Sequence, residues 1–340
     1  MGSLDRHAAN IAPLRAALPA LPPDPAWRDL IRFATLAANS HNTPARKFRT
    51  GDGRIDILPD PARRTPAVDP DDHHLFASLG CAAENLSIAA AARGLPGEVA
   101  FDAEGGGAVR FDCAAGAIRD AALCDAIALR QSTRADYGGS EVSAADLAIL
   151  ASAASMPDVD PVLNTDRVQI NRVRDLIIGG NTTQIADLAF VAELKHWLRF
   201  NPRGAFATGD GLFSATSGYP SLPDWLGPLM FDRAFTAKAE NEKIARQIAS
   251  PAGLAVFVAA KADPAGWVQA GRACQRFAMQ ATALGLKHAF LNQPVEVAAL
   301  RPDLAALLGI PGRKPDLVMR FGRGTALPFS ARKPVEEVMV

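Results

Sequence analysis

Apolar residues recur along this chain with two spacings, one typical of helices and one typical of strands. Helical spacing predicts helices over about residues 26–38, 73–93, 143–155, 166–200 and 266–284. The segment 73–93 is apolar almost all round, so we expect that helix to be buried. Strands are predicted at residues 54–58, 99–101, 109–111, 254–260 and 316–321. Together these elements predict an α+β fold in which helices pack around mixed sheets.

The buried helix has a second copy later in the chain. Aligned without gaps, residues 80–95 and 271–286 are identical at six positions: Gly80/Gly271, Ala82/Ala273, Ala90/Ala281, Ala92/Ala283, Gly94/Gly285 and Leu95/Leu286. Alanine matches arise easily by chance, whereas a Gly-Leu pair at the same offset from the helix is more specific. We therefore predict an internal duplication, with residues 1–125 as a degenerate N-terminal half and residues 126–340 as a C-terminal half.

Residues 201–231 interrupt the second half with a stretch rich in glycine and proline. The segment carries aromatic residues of the kind usually found exposed, among them Phe206, Phe213, Tyr219 and Trp225. A loop of this length inside a compact domain is usually functional, so we predict a lid that covers a planar apolar ring. The alternative is an ordinary surface excursion that its prolines hold in place.

Composition narrows the class of protein but does not indicate a substrate. Apolar residues make up 49% of the chain, and 36 basic side chains balance 36 acidic ones, so nothing attracts nucleic acid or anionic lipid globally. Without a secretory leader pattern or a run of about 18 apolar residues, a cytoplasmic protein with no membrane span is expected. The cysteines have no metal-type spacing and are expected to be reduced core thiols: Cys81, Cys113, Cys124 and Cys274.

Two basic segments suggest an anion site. Arg130, Ser132 and Arg134 lie within five residues, and guanidinium groups with hydroxyls suit a phosphate. The alternative is a solvated basic turn. Arg332 and Lys333 form a second, weaker basic segment near the end of the chain. No dinucleotide-binding glycine motif, P-loop or hydrolase elbow accompanies them.

Two other polar segments are candidates for binding. The loop Ser40, His41, Asn42 and Thr43 offers donors and acceptors for the edge of a heteroaromatic ring, or simply ends the preceding helix. The run 71–74, Asp-Asp-His-His, could bind a metal, but adjacent histidines at a helix start point in different directions. A helix-capping role is therefore expected for that run, and no metal is expected.

The order of these segments resembles the nitroreductase family. A Ser-His-Asn-Thr loop after a short helix, an Arg-x-Ser-x-Arg segment opening a domain, Pro294-Val295-Glu296 after a strand and a C-terminal Arg-Lys-Pro-Val follow the family's order over about residues 26–340. Duplication within one chain is similar to the Acg-type branch, whose two halves imitate the usual homodimer. The resemblance implies the nitroreductase fold and a monomer acting as a pseudo-dimer, with further oligomerisation left open. It also implies FMN as the cofactor, and because the first half has no Arg-x-Ser-x-Arg segment for a second pocket, one FMN per chain is expected.

The resemblance implies roles for the matching residues. Arg130, Ser132 and Arg134 would hold the FMN phosphate and the pyrimidine edge of the flavin, and Arg332, with Lys333, would add basic phosphate ligands. From the opposite half, the loop of Ser40, His41, Asn42 and Thr43 would reach the flavin. The main chain of Pro294, Val295 and Glu296 would pass its N5 edge. One departure is that residues 44–48, Pro-Ala-Arg-Lys-Phe, replace the usual Gln-Pro-Trp.

Three functions remain open from the sequence. The first is a cytoplasmic FMN-dependent oxidoreductase that takes electrons from NADH or NADPH and passes them to a small acceptor. The second is a non-catalytic flavoprotein that sequesters FMN behind a lid, and the third is a scaffold without a cofactor. Small molecules are the only partners that the resemblance implies; no nucleic acid and no membrane are expected.

Overall fold

Helices and short strands alternate along the chain, and the computed structural model describes residues 2–19, 27–250 and 252–340. The strands in these ranges are β1 (Arg46–Gly51), β2 (Arg54–Pro59), β3 (Gly97–Asp102), β4 (Ala108–Cys113), β5 (Val159–Asn164), β6 (Leu198–Arg199), β7 (Leu212–Phe213), β8 (Gly253–Ala259), β9 (Lys287–Phe290) and β10 (Leu317–Gly322). The α-helices are α1 (Ser3–Ile11), α2 (Trp27–Thr35), α3 (His73–Ala91), α4 (Ala121–Leu129), α5 (Ala144–Ala154), α6 (Arg167–Ala186), α7 (Leu188–Trp197), α8 (Pro202–Thr208), α9 (Gly227–Ala234), α10 (Ala237–Ala249), α11 (Pro264–Ala283), α12 (Gln293–Glu296), α13 (Arg301–Leu307) and α14 (Val335–Val338). The predicted mixture of helix and sheet is confirmed.

Two four-stranded sheets share one strand order. The first sheet runs β1-β2-β4-β3 and the second β5-β8-β10-β9, and every neighbouring pair is antiparallel. In the first sheet the long helix α3 connects β2 to β3, and in the second sheet α11 connects β8 to β9. In both sheets these are the second and third strands along the chain. The two sheets therefore have the same connectivity as well as the same order.

The helices α3 and α11 cross at two glycines. A Cβ atom on Gly80 would lie 2.0 Å from the carbonyl oxygen of Val268, and one on Gly271 would lie 1.9 Å from that of Ala77. Each of those carbonyls belongs to the residue three positions before the other helix's glycine. The contact is therefore reciprocal, and it needs the close backbone approach that glycine permits.

Both helices also end in the same way. The amide of Leu95 donates to the carbonyl of Ala90 at 2.9 Å, and the amide of Leu286 donates to that of Ala281 at 2.8 Å. The preceding glycines, Gly94 and Gly285, have φ of 75° and 72°, in the left-handed region where glycine is favoured. As predicted, α3 is buried along nearly its whole length.

At the start of α3 the helix cap comes from Asp69 and not from the run 71–74, because the Asp72 side chain makes no capping hydrogen bond. The Asp69 carboxylate accepts hydrogen bonds from the amides of His74 and Leu75, each at 2.9 Å, so Asp69 caps the helix. His73 Nε2 lies 2.9 Å from Asp316 Oδ1, whereas His74 faces Glu296. The two imidazoles thus have different partners, and within the described ranges no group of three or more potential ligands could hold a metal ion.

The prediction of one long loop at residues 201–231 is wrong. Asn201 accepts the Gly204 amide at 2.8 Å and starts α8, and Gly209, with φ of 63°, ends it. The same segment contains β7, paired with β6, and most of α9. The helix predicted over 166–200 is also divided, because the Asp187 side chain caps a new helix, α7. Helix-capping residues therefore order a segment whose glycine and proline content indicated a loop.

All four cysteines are free, as expected for reduced thiols. Cys81, Cys124 and Cys274 are buried, and Cys113 is half-buried. In the part of the chain that the structure describes, no helix is both long enough and apolar enough to cross a bilayer.

Candidate functional site

A cavity of about 460 Å³ is lined by residues from both parts of the chain. From the N-terminal part come residues 38–41 and one face of α3, and from the C-terminal part come Arg134 and side chains of α6, α10 and α12. Its lining is mostly apolar with several polar side chains, and its size is that of a small-molecule site.

Four of the residues predicted to bind the cofactor line this cavity: Ser40, His41, Arg134 and Glu296. Ser40 and His41 belong to a single helical turn in which His41 and Asn42 have φ of 44° and 55°. Left-handed conformations of non-glycine residues cost free energy and persist where their surroundings impose them. Here the side-chain Nδ2 of Asn42 donates to the carbonyls of Gly211 (2.9 Å) and Ala331 (3.1 Å), which holds the turn in place.

Arg134 brings a positive charge to the cavity without a protein partner. Its guanidinium makes no hydrogen bond or ion pair within the described residues. Burial lowers its pKa, and the neighbouring cation Arg320 lowers it further. Burial, Arg134 and His74 lower the pKa of His41 to about 4, so its imidazole is neutral near pH 7. This side of the cavity therefore favours a negative charge on whatever binds there.

Glu296 is a half-buried carboxylate on the cavity wall. Gln184 Nε2 donates to its Oε2 at 2.6 Å, and His74 Nδ1 lies 3.7 Å from its Oε1. Burial raises the pKa of Glu296, and His74 and Gln184 oppose that rise. The preceding residues, Pro294 and Val295, are buried and do not line the cavity. Of the predicted segment, Glu296 therefore lines the cavity, as does Gln293, which precedes the segment.

Three buried arginines gather at the C-terminal end of α2. Arg46 Nη2 and Arg332 Nε both donate to the carbonyl of Thr35 at 3.2 Å, and Arg130 Nη2 donates to that of Leu36 at 3.1 Å. These carbonyls carry the negative end of the helix dipole, which attracts cations. Arg46 is 1%, Arg130 2% and Arg332 8% exposed. The sequence predictions named Arg130 and Arg332 but missed Arg46.

No carboxylate neutralises these arginines in the described part of the chain. Nε and Nη1 of Arg130 and Nε of Arg46 have no hydrogen-bond partner. Burial lowers the pKa of Arg332, and the positive charges of Arg15, Arg130 and Arg46 lower it further. We call these four residues, Arg15, Arg46, Arg130 and Arg332, the arginine cluster. Because buried charges are normally paired, the cluster is suited to a dense anion.

The arginine cluster borders the cavity. Arg46 Nη1 donates to the carbonyls of Ala38 at 3.4 Å and Ser78 at 3.2 Å, and both of those residues line the cavity. The backbone of residues such as Ala38 and Ser78 therefore lies between the cavity and Arg46. A ligand with its ring in the cavity could place an anionic group close to the arginines. The arrangement suits a ligand that has both an apolar ring and an anionic group.

The remaining predicted residues lie near this region without lining the cavity. Half-buried Ser132 pairs through its backbone with His288, and the Thr43 carbonyl accepts a hydrogen bond from Arg63. Lys333 Nζ donates to Glu337 at 2.6 Å and is thereby held by a carboxylate. Of the predicted basic residues, Lys333 is thus the one with an acidic partner.

The segment 198–235 covers one side of the cavity with aromatic side chains. Phe213 and Tyr219 line it, as the lid prediction requires, whereas Phe206 and Trp225 are 48% and 72% exposed and do not. Further aromatic residues that the sequence did not single out also line it: Phe190, Phe200, Phe231, Phe235 and Phe290. The aromatic cover is therefore larger than predicted and is made by different residues in part.

A buried carboxylate ties this segment to the rest of the site. Asp210 accepts hydrogen bonds from Arg63 and, at 2.6 Å, from Arg199. Burial opposes ionisation of Asp210, but the two arginines outweigh burial and lower its pKa. Next to it, the Gly211 amide donates to the carbonyl of Asn42 at 2.9 Å. The covering segment is thus attached to the same turn that carries Ser40 and His41.

Comparison with curated proteins finds relatives over nearly the whole chain. The chain is 22% identical over 327 residues to a protein of Mycobacterium tuberculosis, recorded for two strains, whose provisional name is NAD(P)H nitroreductase. The alignment covers 92% of this chain and 90% of the relative. No family model matches the chain.

Solved structures give partial likenesses. A nitroreductase with bound FMN from Desulfitobacterium hafniense has a TM-score of 0.40 at 15% identity, covering 62% of this chain and 94% of that one. Iodotyrosine deiodinase bound to FMN and 3-iodo-L-tyrosine has a TM-score of 0.42 at 12% identity, covering 62% and 95%. The FMN-dependent nitroreductase NfnB of Mycobacterium smegmatis, in complex with NADPH, has a TM-score of 0.40 at 14% identity, covering 60% and 87%.

Proposed function

We infer that the chain belongs to the nitroreductase family, and on this premise we propose that it is an FMN-dependent oxidoreductase. The family assignment is supported by the relatives of that name, which align with 92% of the chain. NADH or NADPH would supply the electrons, and a small molecule would accept them.

The arginine cluster is the observation that carries this proposal. FMN combines a phosphate monoester with a flat ring system, which matches buried unpaired arginines beside an apolar cavity. Arg130 and Arg332 would bind the phosphate, with Arg46 and Arg15 adding positive charge around it. Arg134 would face the pyrimidine edge of the ring. When bound, FMN supplies the hydride chemistry, and the protein supplies position and charge.

The side chains around the cavity have definable roles in such a reaction. The unpaired charge of Arg134 favours negative charge on a ring bound beside it. Glu296, whose pKa burial raises, can hold a proton at Oε1 on the cavity wall. The aromatic cover excludes water from the ring face. These roles follow from this chain's own residues.

We further propose that residues 1–125 and 126–340 are two halves of one pseudo-dimer. The shared strand order and the reciprocal contact of Gly80 and Gly271 support this division. The first half has no counterpart of the segment Arg130–Arg134, so one FMN per chain is expected. A cytoplasmic location accords with four free cysteines and a nicotinamide donor.

A second candidate function is FMN sequestration without turnover. The double attachment of Asp210 to Arg63 and Arg199 favours it, because a cover held this way would keep a nicotinamide from the ring. We retain this alternative because both functions use the same cofactor site and differ only in access to it.

The absorbance spectrum of the purified protein, followed by anaerobic addition of NADPH or NADH, tests these proposals. An oxidoreductase should show flavin bands at a ratio near one FMN per chain, and the donor should bleach them. Bound FMN that neither donor reduces would support sequestration. Failure to bind FMN even after reconstitution would exclude both functions, and a ratio near two would contradict the single site.

A further inference from the structure

Lys243 on α10 is one of the cations that line the cavity. Its ammonium lies 3.7 Å from the centroid of the Tyr219 ring, and it makes no ion pair within the described residues. The nearby carboxylate of Glu240 instead accepts a hydrogen bond from the Tyr219 hydroxyl at 2.6 Å. The ring therefore holds Lys243 in place while its charge stays available to a ligand.

The charge persists at neutral pH. Burial and the cations Arg134, Arg246 and Arg320 lower the pKa of Lys243 to about 8, against the opposing effect of Glu240. An ammonium with that pKa is mostly protonated at pH 7. Lys243 is thus a half-buried cation in a cavity whose lining is mostly apolar.

The other cations of the cavity have different partners. In the proposed function Arg134 faces the flavin, and Arg320 already donates to the carbonyls of Gln247 (2.7 Å) and Ala135 (2.8 Å). Lys243 makes no ion pair within the described residues, although the nearby Glu240 carboxylate partly offsets its charge, and the proposed function assigns it no cofactor contact. Phe231 and Phe235 line the same cavity and provide flat apolar surfaces.

We propose that Lys243 selects the electron acceptor, and that this acceptor is a planar aromatic molecule with an anionic substituent such as a carboxylate. The ring would pack against the aromatic side chains of the cover, and the anion would contact the Lys243 ammonium. That the ligand accepts electrons rests on the proposed function. The preference of the cavity for an anionic ligand does not require turnover.

Calorimetric titration with two probes of nearly equal shape tests the inference. The protein as purified is titrated with 4-nitrobenzoate and with its neutral isostere 4-nitrobenzamide, in wild type, Lys243→Met and Lys238→Met. Lys238 is an exposed lysine on the same helix and serves as the matched control. We expect wild type and Lys238→Met to bind the benzoate about tenfold more tightly than the amide, the effect of one charge-assisted contact. In Lys243→Met the preference should vanish while amide affinity is retained.

The two hypotheses fail in different ways. Equal affinity for the two probes in wild type, binding of neither, or a preference that survives in Lys243→Met would overturn the role of Lys243. Flavin content and donor bleaching are measured on the same preparations. If bleaching is absent while the benzoate preference depends on Lys243, the oxidoreductase assignment fails and Lys243 still defines an anion-selective ligand site.

Discussion

Replacing Arg130 with methionine should weaken FMN binding without lowering the free energy of unfolding of the FMN-free protein. The side chain is 2% exposed, and its Nε and Nη1 have no protein partner, so those atoms are available to a phosphate. Its Nη2 donates to the Leu36 carbonyl at 3.1 Å, and methionine cannot form that hydrogen bond. The substitution therefore has two effects that can be measured separately: it removes atoms available to a phosphate, and it removes the hydrogen bond to Leu36.

The expected magnitudes differ between the FMN-bound and FMN-free states. Removing one charge-assisted hydrogen bond costs about 1.5–3 kcal/mol, which weakens FMN binding roughly 10- to 100-fold. In the FMN-free protein, removing the bond to Leu36 costs about 1 kcal/mol. Removal of an unpaired buried charge from the arginine cluster offsets that cost, because apolar replacements of buried charges are often neutral or stabilising.

The assay measures unfolding by urea with and without FMN, together with FMN affinity from flavin fluorescence quenching. At a concentration 100 times its Kd, FMN should stabilise the wild type by about 2.7 kcal/mol. If Kd rises 100-fold, the same concentration should stabilise Arg130→Met by only about 0.4 kcal/mol. Inorganic phosphate should also stabilise the FMN-free wild type, because the cluster binds the phosphate group.

Arg276→Met is the matched control. Arg276 pairs with Glu84 and Asp120, each at 2.7 Å, and Glu84 is 1% exposed. Its removal leaves a buried carboxylate less compensated, so it should destabilise the protein equally with and without FMN and leave Kd unchanged. An unchanged FMN affinity in Arg130→Met, or a drop in FMN-free stability as large as that of the control, would refute the assignment of the cluster.

Three further predictions concern the helix crossing, the cover and the strained turn. Gly80→Ala should lower the free energy of unfolding by about 1–3 kcal/mol or more, because its Cβ would lie 2.0 Å from a carbonyl oxygen, whereas Gly179→Ala, in open space on α6, should raise it by about 0.5–1 kcal/mol; equal effects in urea unfolding would contradict this. Asp210→Asn should speed flavin reduction by NADPH or FMN release in stopped-flow experiments, since it removes the charge that two arginines hold; unchanged rates would exclude the lid. The pKa of His41 is about 4 in the folded protein against 6.5, so the unfolded chain binds more protons between those values. The free energy of unfolding therefore falls by up to about 3 kcal/mol as the pH drops from 6.5 towards 4, because the unfolded chain gains the proton first. His41→Gln should make the free energy of unfolding fall less steeply over this pH range. An identical pH dependence in the variant would show that His41 does not cause the fall.

The long buried elements could be predicted from the sequence because their patterns are strong. The helix α3 is apolar over about five turns and shares a repeat with α11, β8 is a continuous apolar run, and β10 is apolar apart from Arg320 and its terminal glycine. The strand β1 was missed because its residues 46–51 are mostly polar and basic, with Phe48 as the one fully apolar side chain. Strand pairing, which is a long-range property, determines that segment.

The candidate site was predictable in part. Arg134, Ser40 and His41, which the family resemblance names, line the cavity, but Arg46 was not identified. Its burial depends on the carbonyls of residues 34–38, which only the folded chain brings within reach of its guanidinium. A basic residue at the start of a strand carries no sequence signal of such an environment. For residues 201–231, by contrast, Asn201 and Gly209 were recognisable helix boundaries that the glycine and proline content obscured.

The reciprocal contact between Gly80 and Gly271 has a consequence for how this chain can change over generations. In a protein assembled from two identical subunits, one codon would specify both crossing positions, and any substitution there would occur twice. Here two separate codons specify them. Natural selection can therefore act on each glycine alone, and a substitution on one side of the crossing need not be matched on the other.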